Sequence, residues 1–294
     1  MGLLAWAVAG VGVRTAIAQL RTLGPLLPPV LVINAVRYIA QAAAWRVAVP
    51  LGSRPPLWRL VTACLTGEAF GYLTFAGPLA SVPARALLVR DRVPLREGAA
   101  AAALERVVFI LTAAAMVVAA VVLVAHHRIA EGATGWPIVA SIASAVIVGV
   151  VAVAAIFAVA SRRWLPSCPL SASVLTRLVC LAAAQHAIAL VEATIMLRAV
   201  GAPAAFRRVF VFEALMRLVG VPAAFVPAGI GVYESGSTVL AEVLHLGAAS
   251  GLSLGLMRRV RALIFSAIGL LTLVLHRAAR TDAGPGNTPA RTGP

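Results

Sequence analysis

Lysine is absent from this chain. All 25 of its basic residues are arginine, against 10 acidic residues, for a net charge of +15. No mechanism follows from the missing lysine itself, but every side-chain cation other than histidine is a guanidinium, planar and permanently charged. Charge of either sign is scarce: only 12% of the 294 residues are charged, where an ordinary soluble domain has about a quarter. That excludes a soluble domain of this length. Cysteine is scarce too. Cys64, Cys168 and Cys180 form no C-x-x-C pair, which excludes a disulfide framework and zinc-finger spacing. No group of His, Asp and Glu has ligand spacing, so no metal and no cofactor are expected. The chain lacks DxD, HxxxxD and G-x-S-x-G motifs, a P-loop, and a G-x-G-x-x-G following a strand. No catalytic residue is assigned, and the chain reads as a carrier rather than an enzyme. No basic residue precedes the first apolar run, so the N-terminus does not read as a cleaved signal peptide.

Hydrophobic residues make up 61% of the chain, and mean hydropathy is +0.97. Apolar runs of about 20 residues recur, each long enough to cross roughly 30 Å of hydrocarbon as a helix. A transmembrane barrel would instead alternate polar and apolar residues over roughly 10-residue segments. The expected fold is all-α: a polytopic transmembrane helical bundle of about seven or eight spans plus two broken or re-entrant segments. Spans are placed at 26–49, 57–76, 99–125, 137–160, 174–200, 209–226 and 252–275, with a short first run at 3–13. The broken segments fall at 77–89 and from 227 to about 246. Residues 1–276 form the membrane domain, and 277–294, rich in Gly and Pro, read as a disordered polar tail. The arginines are scattered among the spans, which fits attraction to anionic headgroups. A nucleic-acid binder would cluster them on a soluble face.

The two broken segments resemble each other. When GPLASVPARA (77–86) is laid over VPAGIGVYES (226–235), Pro78 falls on Pro227, Gly71 on Gly220, Glu68 on Arg217, and Arg85 on Glu234. With a gap of a few residues, Glu105–Arg106 falls on Arg258–Arg259. The chain therefore reads as a two-half internal repeat with charges exchanged at matched positions. Paired interruptions in corresponding halves point to a transporter's binding site. Broken helices survive in hydrocarbon only when buried in protein or lining a wet cavity. Pro78 and Pro227 interrupt the helices, and Gly229 and Gly231 permit the turn that follows the second.

Eight charges fall inside or beside spans: Glu68, Arg106, Glu192, Glu213, Arg217, Arg258, Arg259 and Arg261. Unpaired at the centre of a span, each would cost about 2.5–3.5 kcal/mol, so they must pair. Glu213 and Arg217 lie at i,i+4 in the favourable order. Arg258 and Arg261 share a helix face, as do Gln185 and Glu192. His186 reads as a packed helix residue. A purely structural ion-pair network and a cavity for a charged headgroup both fit this pattern.

PAGIGVYE (227–234), the small-residue segment LHLGAASGLSLGLMRR, RYIAQAAAWRV, GPLASVPARALLVR and LERVV together resemble the transmembrane-domain family of lysylphosphatidylglycerol synthases and flippases. The resemblance covers about 26–275. One departure is Val82–Pro83–Ala84 before Arg85, where the family often carries a carboxylate. The resemblance implies an integral, multi-pass protein of a bacterial inner membrane that translocates a polar or isoprenoid lipid between leaflets. It is nearest in form to the hopanoid-associated branch. The chain lacks the aminoacyl-transferase domain of the bifunctional members. On this reading Glu68, Arg85, Arg106, Glu213, Arg217, Glu234, Arg258 and Arg259 line the transport cavity, and Pro78, Pro227, Gly229 and Gly231 shape the broken segments. The expected partners are a membrane lipid, the bilayer and an enzyme of lipid biosynthesis; nucleic acid is excluded. Two other classes stay open: an accessory subunit or transferase in lipid-linked glycan or hopanoid biosynthesis, and a structural scaffold.

Overall fold

A computed structural model describes residues 13–74, 77–130, 171–223 and 226–282. Among these residues every regular element is helical. In chain order the α-helices are α1 (Val13–Leu23), α2 (Leu27–Ala48), α3 (Leu57–Leu73), α4 (Pro78–Leu88), α5 (Leu95–Ala130), α6 (Ala172–Ala199), α7 (Phe206–Ala223), α8 (Val232–Val243) and α9 (Ala248–Asp282). Prolines punctuate them. Pro28 and Pro29 sit in the first turn of α2, and Pro78 opens α4. A missing N–H costs nothing in a first turn, because no helical acceptor awaits it.

Among the described residues, three helical stretches are long and apolar enough to cross a membrane, at Arg21–Ala48, Leu95–His126 and Ala172–Ala199. The other expected spans within the described residues fall short for identifiable reasons. α3 has 17 residues. α7 carries Arg207, Arg208, Glu213 and Arg217 within 18 residues. α9 carries Arg258, Arg259 and Arg261 within four positions. The segment at 77–89 is a helix, not an irregular stretch, and the break lies just before it. The last helix runs to Asp282, so residues 277–282 extend it instead of starting the polar tail. The run at 3–13, up to Val13 where α1 begins, the span at 137–160, Cys168 and the tail from 283 lie outside the described residues.

Two stretches pass through the same succession of elements. α3 (17 residues), a break, α4 (11 residues) and α5 (36 residues) are followed later by α7 (18), a break, α8 (12) and α9 (35). α9 packs against α8 and α3, α3 against α4 and α2, α2 against α6, and α5 against α7. The two successions are thus interleaved in one bundle.

Small residues bring the backbones close, as is usual where lipid offers no hydrophobic drive for helix association. A Cβ on Gly269 of α9 would stand 2.5 Å from the Leu65 carbonyl oxygen of α3. A Cβ on Gly255 would stand 2.6 Å from Ser237 Oγ of α8 and 3.3 Å from the Glu234 Cα. Gly251 and Gly255, four residues apart, place the seam with α8 along one face of α9. Between these seams lie apolar clusters. Trp45 is fully buried in one, and its indole N–H donates to the Gly98 carbonyl at 3.2 Å. Phe212, Met196 and Leu254 are buried in another. Large apolar side chains such as Val32, Val36 and Ile39 of α2, and Leu271, Val274 and Leu275 of α9, face outward. That surface suits hydrocarbon.

Candidate functional site

The two breaks face one cavity of about 190 Å³. From the first succession it is lined by Glu68, Gly71 and Tyr72 of α3, Gly77 at the break, Ser81 of α4 and Arg106 of α5. From the second come Gly220 and Ala223 of α7, Val226 and Gly229 at the break, and Tyr233 of α8. Gly71 and Gly220, paired by the sequence alignment, both line it.

The break geometry explains the glycines in one place. Ala228, Gly229 and Gly231 all have positive φ, at 56°, 58° and 83°. This short left-handed run reverses the chain before α8 begins. At Gly229 a Cβ would also stand 2.5 Å from the Tyr233 ring, so only glycine leaves room for that ring against the backbone. Glu234, fully buried, then secures the start of α8. Its Oε2 accepts the Gly231 N–H at 2.9 Å, in the manner of a helix cap. Its Oε1 stands 2.5 Å from Arg259 Nε.

The other membrane charges are paired in two groups. In the first, fully buried Arg85 reaches Glu68 at 2.6 Å and Glu105 at 3.2 Å. Arg106 reaches the same Glu68 oxygen at 2.7 Å, and Gln41 donates to it at 3.3 Å. In the second, Arg258 pairs with Glu213 and stands 3.7 Å from Glu192, while Arg261 pairs with Glu192. Arg217 lies 3.9 Å from Glu213. The i,i+4 pair expected on α7 is therefore a loose one, because Arg258 of α9 takes the Glu213 carboxylate. Arg106 and Arg217, one from each group, both sit 5.8 Å from the centre of the Phe109 ring. Phe109 also stacks on His186, whose Nε2 meets Thr112 Oγ1 at 3.0 Å. His186 is thus a packed residue, and among the described residues no group of His, Cys, Asp and Glu could hold a metal. Gln185 donates to its own helix at Leu181 and does not join Glu192.

Of the sequence-predicted residues, Glu68, Arg106 and Gly229 line the cavity. Arg85 pairs with the lining Glu68 but is not itself among the lining residues. Glu234 and Arg259 form one pair beside the second break, and Glu213, Arg217 and Arg258 form a neighbouring cluster. Pro78 opens α4 after the first break, Pro227 opens a short turn within the second, and Gly231 precedes α8.

Sequence reading missed the α2 stripe of Asn34, Arg37 and Gln41. Asn34 donates to Glu192 at 2.7 Å, and Gln41 donates to Glu68, so α2 touches both groups. Arg37 donates to Asn34 at 3.3 Å, lies 4.7 Å from the Tyr38 ring, and acts electrostatically on Glu68 and Glu192 alike. The signal was present: three polar residues at i, i+3 and i+7 in an otherwise apolar run mark one helix face. Among the described residues, with Arg37, seven arginines (Arg37, Arg85, Arg106, Arg217, Arg258, Arg259 and Arg261) meet five glutamates (Glu68, Glu105, Glu192, Glu213 and Glu234), an excess of two positive charges.

Comparison with known proteins agrees with the membrane reading. Residues 1–269 match the family model described as Lysylphosphatidylglycerol synthase TM region, and the chain belongs to that family. It is therefore an integral membrane protein of a family of lipid metabolism or transport. Neither the curated proteins nor the solved structures contain a match to it.

Proposed function

We propose that this member of the lysylphosphatidylglycerol synthase TM-region family is a lipid translocase. A polar headgroup enters the cavity between the two breaks while its hydrocarbon tails stay in the bilayer. The observation that carries this reading is the cavity itself. It lies where both interrupted segments meet, and it holds a carboxylate and a guanidinium. Backbone breaks at membrane depth are costly unless they line such a cavity, and matched breaks in two halves are where carriers bind their cargo. The matched lengths of the two successions support an internal repeat whose halves rock about the cavity. The absence of a nucleotide-binding motif favours passive movement or coupling to an ion gradient. The inner membrane of a bacterium, beside an enzyme that makes the lipid, is the setting that fits the family.

The test is reconstitution into liposomes containing fluorescent lipids, with a membrane-impermeant quencher added outside. Label that starts in the inner leaflet becomes quenchable if the protein moves it. Movement above protein-free vesicles supports the reading. No movement across a panel of anionic, zwitterionic and isoprenoid lipids would replace it with the accessory-subunit reading.

A further inference from the structure

Charge inside the bundle is balanced in two places and unbalanced in a third. Around Glu68, two carboxylates (Glu68 and Glu105) face two guanidiniums (Arg85 and Arg106). Glu234 and Arg259 form a neutral pair. The group around Glu192 and Glu213 differs. Arg258 pairs with Glu213 and stands 3.7 Å from Glu192, and Arg261 pairs with Glu192. Those two pairs use both carboxylates. Arg217 comes no closer than 3.9 Å to Glu213. Arg37 donates to the Asn34 amide oxygen at 3.3 Å and has no carboxylate within ion-pair distance among the described residues. Four guanidiniums therefore share two carboxylates, and the surplus falls on Arg37 and Arg217.

The other described carboxylates are elsewhere. Asp91 pairs with Arg59 at the exposed turn before α5, and Glu97 lies in the first turn of α5. Glu242 accepts the Ala248 N–H at 2.9 Å, and Asp282 ends α9. Glu131 lies outside the described residues. Depth prevents the surplus arginines from reaching water along their own helices, because Arg37 sits at the middle of the 22-residue α2 and Arg217 in the inner half of α7. A guanidinium cannot shed its proton to escape the cost of burial. Both instead rest against aromatic rings, Arg37 at 4.7 Å from Tyr38 and Arg217 at 5.8 Å from Phe109. The Nε–H of Arg217 is buried and meets no acceptor, whereas buried polar groups are ordinarily satisfied. Arg37 and Arg217 also act on each other electrostatically, and like charges repel more strongly as the dielectric falls. An anion held by both relieves that repulsion and gives the Arg217 Nε–H its acceptor. The Arg217 side chain is 26% exposed, so an ion can reach it.

We propose that Arg37 of α2 and Arg217 of α7 hold a small monovalent inorganic anion of the chloride class. The carboxylates of Glu192 and Glu213 belong to the same group, so an ion of higher charge meets more repulsion than a halide does. None of the four arginines of this group is among the residues that line the cavity, and the site does not depend on whether the chain moves lipid. The ion ties α2, which lies outside both successions of elements, to the second succession.

The experiment follows thermal unfolding of the full chain in non-ionic detergent while gluconate is replaced by chloride at constant ionic strength. A ligand that binds only the folded state raises the midpoint in a saturating manner, and a rise of about 4 °C is expected by about 150 mM chloride. Arg217→Gln and Arg37→Gln each remove one surplus charge and keep an N–H donor. Each should lose the chloride response and melt no lower than wild type in gluconate, since the stranded charge is gone. Arg92→Gln, at the exposed turn, should respond as wild type does. Equilibrium dialysis against radioactive chloride should find an ion bound by wild type and lost from Arg217→Gln. A wild-type midpoint indifferent to chloride overturns the inference, as does a response that survives in both variants. Variants that melt well below wild type in gluconate, or fail to fold there, overturn it too, because Arg37 and Arg217 would then be needed as ion-pair partners rather than standing in surplus. Dihexanoyl phosphatidylglycerol, added in gluconate, distinguishes the source: a shift with that lipid and none with chloride makes the anion a lipid phosphate and sinks the inorganic site.

Discussion

Replacing Arg85 with methionine tests whether the first charge group is a structural necessity. Methionine matches the aliphatic length of arginine but brings no charge. Arg85 is fully buried, and it is the ion-pair partner of Glu105, which is only 2% exposed. Glu68 keeps Arg106 and Gln41 when Arg85 is lost, but Glu105 is left as a buried carboxylate without its cation. Removing one member of a buried pair costs about 3–5 kcal/mol. In a protein of this size each kcal/mol moves the melting midpoint by about 2–4 °C, so a loss of roughly 6–20 °C is expected. The assay is thermal unfolding in a fixed detergent, read by tryptophan fluorescence. The double variant Arg85→Met/Glu105→Gln then removes the stranded charge. It should recover at least half of the loss, since apolar or neutral replacement of a whole buried pair is often tolerated. If Arg85→Met melts within about 2 °C of wild type, the buried pair contributes nothing and the reasoning fails. If the double variant is no better than the single, the cost lies in lost packing rather than in a stranded charge.

The remaining predictions concern other parts of the bundle. Gly251→Val puts a side chain against the Ser237 carbonyl and the Ala241 methyl of α8, so the seam must open; we expect sharply reduced yield of monodisperse protein on size-exclusion chromatography, while Gly24→Ala, in open space, should match wild type. Asn34→Ala removes the hydrogen bond from α2 to the buried Glu192 and should cost about 1–3 kcal/mol in the same melting assay. Glu234→Gln keeps an acceptor for the Gly231 N–H but weakens the pair with Arg259. It should melt closer to wild type than Glu234→Ala, which also loses the acceptor for the Gly231 N–H, a hydrogen bond worth about 0.5–1.5 kcal/mol.

Much of the bundle was legible because hydrophobic runs and prolines are local signals. The limits of α2 and α6 follow from where apolar runs end, and Pro78 and Pro227 mark the breaks. Pairing within the membrane was less legible. Glu213 and Arg217 look like partners by spacing, yet Arg258, 45 residues from Glu213, takes the closer contact. Spacing reports neighbours on one helix, whereas tertiary packing chooses among arginines from different helices. Asn34 and Gln41 were overlooked because single amides in an apolar run read as tolerated exceptions. Their role appears only when α2 is placed between α6 and α3. The convergence of Gly71 and Gly220 on one cavity was suggested by the alignment of the two breaks, but the alignment carried no information on which residues would be exposed to it. Arg85 and Glu234, the best-matched charges, are both fully buried, and less conspicuous residues such as Ser81 and Tyr233 share the cavity wall with Glu68 and Arg106.

The central claim is that lipid crosses through the cavity between the breaks. Its most direct test is the liposome assay run on three proteins at matched reconstitution: wild type, Arg106→Gln, and Arg92→Gln as a control. Arg92 lies in the exposed turn between α4 and α5, 62% accessible, and is not among the residues that line the cavity. The account predicts that wild type and Arg92→Gln make inner-leaflet label quenchable at similar rates, and that Arg106→Gln slows it at least tenfold while remaining folded by melting. Unchanged movement in folded Arg106→Gln would contradict the account, because the headgroup would then be crossing somewhere else.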